Sequence, residues 1–277
     1  MGRIHVGTEN STSITLHYED HGIGAPVVLI SAFPLTGQSW EKQLRALQDA
    51  GYRVIAYDRR GFGKSSQPGV GYDYDTFAHD LDILLTQLDL RDAVLVGHGM
   101  GTGEVTRYLA THGSARVRKV AMLAPLPPFL LRTADNAEGV RQEVFDAIMR
   151  AIVADRPAFM KVLLDDCFNV DVLGAPRVSE QDMQLFWTVA VSASARGTLD
   201  CVQAWLTDFR QDVPRIDLPA LIVQGDQDRI FPIHVTGRRL STLIKDAQLV
   251  VIEGGPHAVH WTHAEEVNRA MLDFLGQ

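Results

Sequence analysis

Three glycines fall within five residues at Gly97-His98-Gly99-Met100-Gly101. They directly follow the apolar run at residues 93–97 and directly precede a stretch, residues 102–111, with helical spacing. A strand that must become a helix over so short a turn presses backbone against backbone. Only residues without bulk fit on either side of the central position. The chain is committed at this point to a strand, a sharp bend and a helix.

The same alternation recurs around it. Residues 14–18 read as an edge strand. The run PVVLISAF at residues 26–33, ended by Pro34, has the continuous apolar character of a strand covered on both faces. Residues 38–50 carry Trp40, Leu44 and Leu47 at helical spacing, and YRVIAY at residues 52–57 is the next strand. A polar turn, Asp58-Arg59-Arg60-Gly61-Phe62-Gly63, follows and reads as a structural turn with buried ion pairs. A helix over 74–90 and a strand over 117–123 complete the first half. Alternating strands and helices predict an α/β fold, a mostly parallel, doubly wound sheet with helices on both faces. The alternation lapses across residues 129–212, where helical segments (140–153, 157–167, 180–190) occur without a convincing strand. It resumes with strands at 220–224 and 248–252 and helices at 234–243 and 264–275. The reading is a core of residues 1–128 and 213–277 with a helical cap, residues 129–212, over the carboxyl ends of the strands, where ligands bind in open α/β sheets.

Three strand ends carry chemistry: the glycine turn, Gly225-Asp226-Gln227-Asp228 after ALIVQ, and Gly255-Pro256-His257 after LVVIE. A sharp elbow, then an acid, then a histidine is the chain order of the α/β-hydrolases. The chain resembles their cofactor-free haloperoxidase branch of esterases and perhydrolases. The resemblance rests on Tyr57 to Gly63, Met100 to Val105, Asp226 to Arg229 and Trp261 to Val267. It implies an α/β-hydrolase fold, Asp228 as the acid, His257 as the base, and an oxyanion hole of the Phe33 and Met100 N–H groups. It also implies small esters, carboxylic acids with peroxide, or lactams as substrates, no metal, haem or other cofactor, and a small homo-oligomer.

The resemblance puts a serine nucleophile at position 99, where this chain has Gly99. It reads Ser31-Ala32 where the family has His-Gly, and Ala258 where glycine is usual; Cys167 and His260 are also unusual. Departures clustered on one pocket predict an active site altered by engineering or specialisation. Covalent Ser–His–Asp chemistry is not expected. The dyad and oxyanion hole could serve general-base chemistry, or Cys167 could replace the nucleophile. The rival is an inert small-molecule binder on the same fold. Ser31, Ala32, Trp187 and Phe129 are candidate pocket residues, with Leu130 and Trp205 as either pocket or core. His257, His260 and His263, three apart, suggest no metal site, since no third ligand is evident.

Charge excludes other classes. Lys plus Arg number 26 and Asp plus Glu 34, a formal charge of −8. No basic face for nucleic acid is evident. Two cysteines build no disulfide framework. The longest apolar runs are broken by prolines and fall short of a membrane span. The N-terminal residues show no signal-like apolar stretch, so a cytoplasmic protein is expected.

Overall fold

The computed structural model describes residues 1–174 and 176–276. Eight strands form one sheet: β1 (Gly2–Glu9), β2 (Thr12–His21), β3 (Pro26–Ile30), β4 (Arg53–Tyr57), β5 (Ala93–His98), β6 (Val117–Leu123), β7 (Ala220–Gly225) and β8 (Ala247–Ile252). Their spatial order is β1-β2-β4-β3-β5-β6-β7-β8. β1 and β2 are antiparallel to their neighbours, and every pair from β4 onward is parallel. The expected edge strand at 14–18 is corrected by this order: it lies within β2, and the edge is β1. β1 escaped notice because only Ile4 and Val6 are buried in it and Gly2 and Gly7 weaken its strand character.

The continuous apolar strands are explained by two cores. Val28, Ile30, Leu95, Val120 and Met122 face one side, with Leu81 and Leu85 of α2 (Tyr74–Gln87) and Val105 and Leu109 of α3 (Met100–His112). Val27, Leu29, Val94, Val96 and Leu123 face the other, with Leu47 of α1 (Glu41–Asp49) and Met271 and Phe274 of the C-terminal helix, Ala264–Gly276. Alternate residues thus pack on opposite layers, as a sheet covered twice requires.

Between β6 and β7 lie α4 (Gln142–Phe168), α5 (Val170–Leu173), α6 (Glu180–Val191) and α7 (Ala195–Ala204). The two helices expected over 140–167 are halves of α4, kinked at Asp155 (φ −157°, ψ 88°) just ahead of Pro157. The Asp155 carboxylate accepts from Ala158 N at 3.0 Å and so caps the second half. The sequence reading passed over α7, which contains Gly197, a poor helix former. A side chain there would strike the Tyr72 ring, so packing demands the glycine. The chain closes with α8 (Gly237–Leu243), the short α9 (Val259–Thr262) and α10 (Ala264–Gly276). No helix among the described residues is long and apolar enough to cross a membrane.

The bend after β5 is as tight as the glycines predict. A Cβ on Gly97 would come 2.8 Å from the Gly101 carbonyl oxygen, and one on Gly101 would run into the Ile30 carbonyl of β3. Gly101→Ala is therefore expected to cost about 1–3 kcal/mol as overpacking against backbone. A thermal melt should show Tm lower by several degrees; an unchanged Tm would mean that the close approach is not a constraint.

Candidate active site

Four strand ends converge. Gly99, at the tip of the bend between β5 and α3, has φ 52° and ψ −118°. Its N–H donates to Leu123 O at 2.9 Å, and its carbonyl accepts from Thr102 N at 3.0 Å and Thr102 Oγ1 at 2.6 Å. These bonds hold a backbone conformation that costs a side-chain-bearing residue of order 1–3 kcal/mol. The elbow is intact although its tip is bare.

Asp228 follows β7 and His257 follows β8. His257 Nδ1 donates to Asp228 Oδ2 at 2.9 Å, and both side chains are buried. The carboxylate is fully engaged. Oδ1 accepts from Ile230 N and Phe231 N, each at 2.9 Å, and Oδ2 also accepts from Gln224 Nε2 at 3.2 Å. Gln224 was missed in the sequence, though a lone amide in the apolar strand ALIVQ was its signal. With Nδ1 protonated toward Asp228, neutral His257 presents a lone pair at Nε2, and no protein hydrogen bond occupies that atom among the described residues. Nε2 faces the elbow: a Cβ on Gly99 would lie 2.9 Å from it and 3.0 Å from the Ala32 methyl. The imidazole and Ala32 thus fill the space that a side chain at 99 would need.

The two N–H groups expected as oxyanion donors come to one cavity. The N–H groups of Phe33, after β3, and Met100, at the start of α3, are taken up by no hydrogen bond among the described residues. Both residues border the same small cavity as His257. A buried ion pair ties the two donor segments together. Arg59 Nε donates to Glu104 Oε2 of α3 at 2.7 Å, and Arg59 Nη2 to the Ser31 carbonyl at 3.0 Å. Tyr57 OH donates to the other oxygen of Glu104. Burial pushes the Glu104 carboxyl up, against the pull of Arg59 and Tyr57.

The remaining candidates divide. Cys167, near the end of α4, borders the cavity beside His257. Burial, then the Asp228 and Asp166 charges, pushes its thiol well above the usual range, and no hydrogen bond joins it to the imidazole. Ser31 does not enter the cavity: its Oγ accepts from Trp40 Nε1 at 3.1 Å. Trp187 is not brought to the dyad. It lines a separate cleft of about 740 Å³ between α4 and α6, with its indole N–H on Pro157 O at 3.1 Å. Phe129 is buried under the Arg210 guanidinium, 4.9 Å from the ring centre, away from the cavity. The apolar walls are instead Leu163, Trp205, Ile230 and Phe231. Helical spacing could not separate these from core residues.

Behind His257 lies a histidine stack. His98 Nε2 donates to His257 O at 3.0 Å, and the His98 and His260 ring centres are 4.1 Å apart. Burial, then the neighbouring His257, lowers His260 to about 3; burial likewise lowers His98 well below its ordinary value, with His260 and His257 adding to it. Among the described residues no group of three or more His, Cys, Asp or Glu is placed to hold a metal.

Comparison with known proteins supports the fold and the family. Residues 25–264 match the family model described as alpha/beta hydrolase fold. A Synechocystis protein named "Putative non-heme chloroperoxidase" is 60% identical over 275 residues, covering 99% of this chain and 100% of its own. The non-heme chloroperoxidase CPO-A1 of Kitasatospora aureofaciens is 42% identical, covering 95% and 97%. The crystal structure of bromoperoxidase from Bacillus anthracis superposes with a TM-score of 0.95 at 43% identity, covering 100% of this chain and 99% of that one.

The buried histidines set an acid limit. Unfolded, each titrates near 6.5; folded, each stays neutral far below that. Between those values the unfolded chain binds more protons, so stability is full above about pH 6.5 and falls as pH drops through that window. Urea unfolding from pH 7 to 4 should show this slope. His260→Leu should flatten it by roughly one proton; an identical slope in the variant would rule the histidine out as its source.

Proposed function

This chain belongs to the α/β-hydrolase fold family, with non-heme haloperoxidases among its relatives, and on that premise we propose that its active site has been altered, by engineering or specialisation, from covalent to general-base chemistry. The observation that carries this reading is an intact elbow without a nucleophile, faced by an oriented imidazole whose Nε2 is free. Of the unusual residues, Ser31 is turned away onto Trp40, and the others lie nearby. Ala32 abuts the vacant tip, Cys167 borders the cavity, Ala258 N donates to Cys167 O at 2.8 Å, and the His260 ring lies tilted against His98, the neighbour of the base. We take residues 129–212 as the cap over this site.

The substrate is an activated ester or another small carbonyl compound. Its carbonyl oxygen sits against the Phe33 and Met100 N–H groups. His257 Nε2 takes a proton from water as the water oxygen bonds to the carbonyl carbon. The developing oxyanion is stabilised by the two donors, each worth about 2.7–4 kcal/mol in other enzymes. Asp228 stabilises the imidazolium. Collapse expels the alkoxide, which recovers the proton from Nε2. No acyl-enzyme forms, because glycine offers no attacking atom. A Cys167 route is disfavoured by the raised thiol pKa, since the thiolate is the nucleophile.

p-Nitrophenyl acetate tests this. Hydrolysis is expected to proceed without a burst, to fall by about 10²–10⁴-fold in His257→Ala, and to be unchanged in Cys167→Ala. A burst abolished by Cys167→Ala would instead establish thiol catalysis. Turnover indifferent to both changes would favour the inert binder.

Restoring the nucleophile is a second test. Gly99→Ser places a β-carbon at positive φ and against His257 and Ala32. Tm should drop by a few degrees, in line with about 1–3 kcal/mol of strain. The Gly99→Ser, Ala32→Gly pair should recover part of that loss and show an acyl-enzyme burst. A Tm at or above the parent in the single variant would refute the strain and crowding argument.

A further inference from the structure

We propose that Leu163, Trp205, Ile230 and Phe231 form a gate between the cavity at His257 and an outer apolar chamber, and that Leu163 sets which carbonyl compounds pass. The inner cavity leaves only about 10 Å³ for the centre of a water molecule, room for one. No ester fits there while the walls stand as they do. The outer chamber, about 270 Å³, is lined by Leu130, Phe145, Ile148 and Phe159 among others. A cavity of about 150 Å³ already takes benzene. The same four residues line both spaces, so they are the partition between them.

Electrostatics narrows the occupant. The charged residues lining the outer chamber are Asp166 and Arg229, 3.8 Å apart, and Arg229 also pairs with Asp171 at 2.8 Å. The charge at the chamber is therefore answered within the protein, and the lining suits a neutral apolar group. The partition itself holds one unspent donor: Trp205 Nε1 is buried without a partner. Its ring stands edge-on to Phe33, with centres 4.9 Å apart, and Phe231 stands edge-on to His257 at 5.0 Å. A swing of Trp205 thus opens the route to the base and offers the indole N–H to an acceptor oxygen. The substrate class is a neutral carbonyl compound, its apolar tail in the outer chamber and its carbonyl passing the gate. This identification rests on the general-base reading; the gate does not.

The experiment pairs two ester substrates with an unreactive ketone. Relative to the parent, Leu163→Ala should raise the kcat/KM ratio of p-nitrophenyl hexanoate to acetate, and the affinity for butyrophenone in ligand-observed NMR, each by about ten-fold. Leu163→Phe should lower both. Trp205→Phe should weaken butyrophenone about five-fold and leave butylbenzene, its isostere without an acceptor, unchanged. Unchanged ratios and ketone affinities in both Leu163 variants would overturn the gate, and equal effects of Trp205→Phe on the two probes would overturn its donor role. If no variant hydrolyses an ester but ketone affinity follows the Leu163 series, general-base catalysis fails and the gate stands.

Discussion

The site depends on the close approach of backbone to backbone at the end of β5. Gly97 lies against the Gly101 carbonyl and Gly101 against Ile30 of the neighbouring strand. That contact forces the bend that puts residue 99 at a tip and Met100 N–H beside it. It also aims the start of α3 at the cavity, where the unpaired N–H groups of a helix N-terminus favour negative charge. The geometry persists with glycine at the tip because the constraint lies in the flanking glycines and in the bonds to Leu123 and Thr102.

A second constraint holds Phe33, which borders the same cavity as Met100. Phe33 is on a loop, and loops need anchors. The Ser31 carbonyl two residues earlier is held by Arg59, which is itself paired with Glu104 on α3. One buried ion pair thus sets the loop against the elbow helix. Such a pair adds little net stability, but losing one partner strands the other and costs about 3–5 kcal/mol. Its value lies in fixing geometry: the Arg59 bonds to Glu104 and Ser31 O and the Tyr57 bond to Glu104 form together only when β3, β4 and α3 are in register.

The dyad shows how the same low-dielectric environment has opposite consequences. Asp228 is buried and accepts four hydrogen bonds, so both of its oxygens have partners. His98 Nδ1 and both ring nitrogens of His260 are buried without such partners, and the two rings remain neutral, which leaves an uncharged backing to His257 and makes the fold acid-sensitive. The end of α4 closes the arrangement. Cys167 O accepts from Ala258 N, and the Asn169 amide donates to Gln227 O at 3.0 Å, so the insertion is tied directly to the loops that carry Asp228 and His257.

Much of this was legible in the chain itself. Apolar runs marked β3, β5 and β7, because strands covered on both faces leave no polar alternation. The glycine pattern marked the bend, because only glycine tolerates that contact. Chain order marked Asp228 and His257. The edge strand β1 and helix α7 were not legible, since Gly2, Gly7 and Gly197 contradict local propensity: Gly2 and Gly197 are required by the Tyr18 and Tyr72 rings against them, and Gly7 lies at a register shift between β1 and β2. The walls were likewise decided by tertiary structure. Trp187 and Trp205 are both tryptophans in the helical insertion, yet one lies over α4 facing outward and the other against Phe33. Helical spacing shows that a face is apolar; which neighbour covers that face depends on the kink at Asp155 and the docking of α4, which no local pattern encodes.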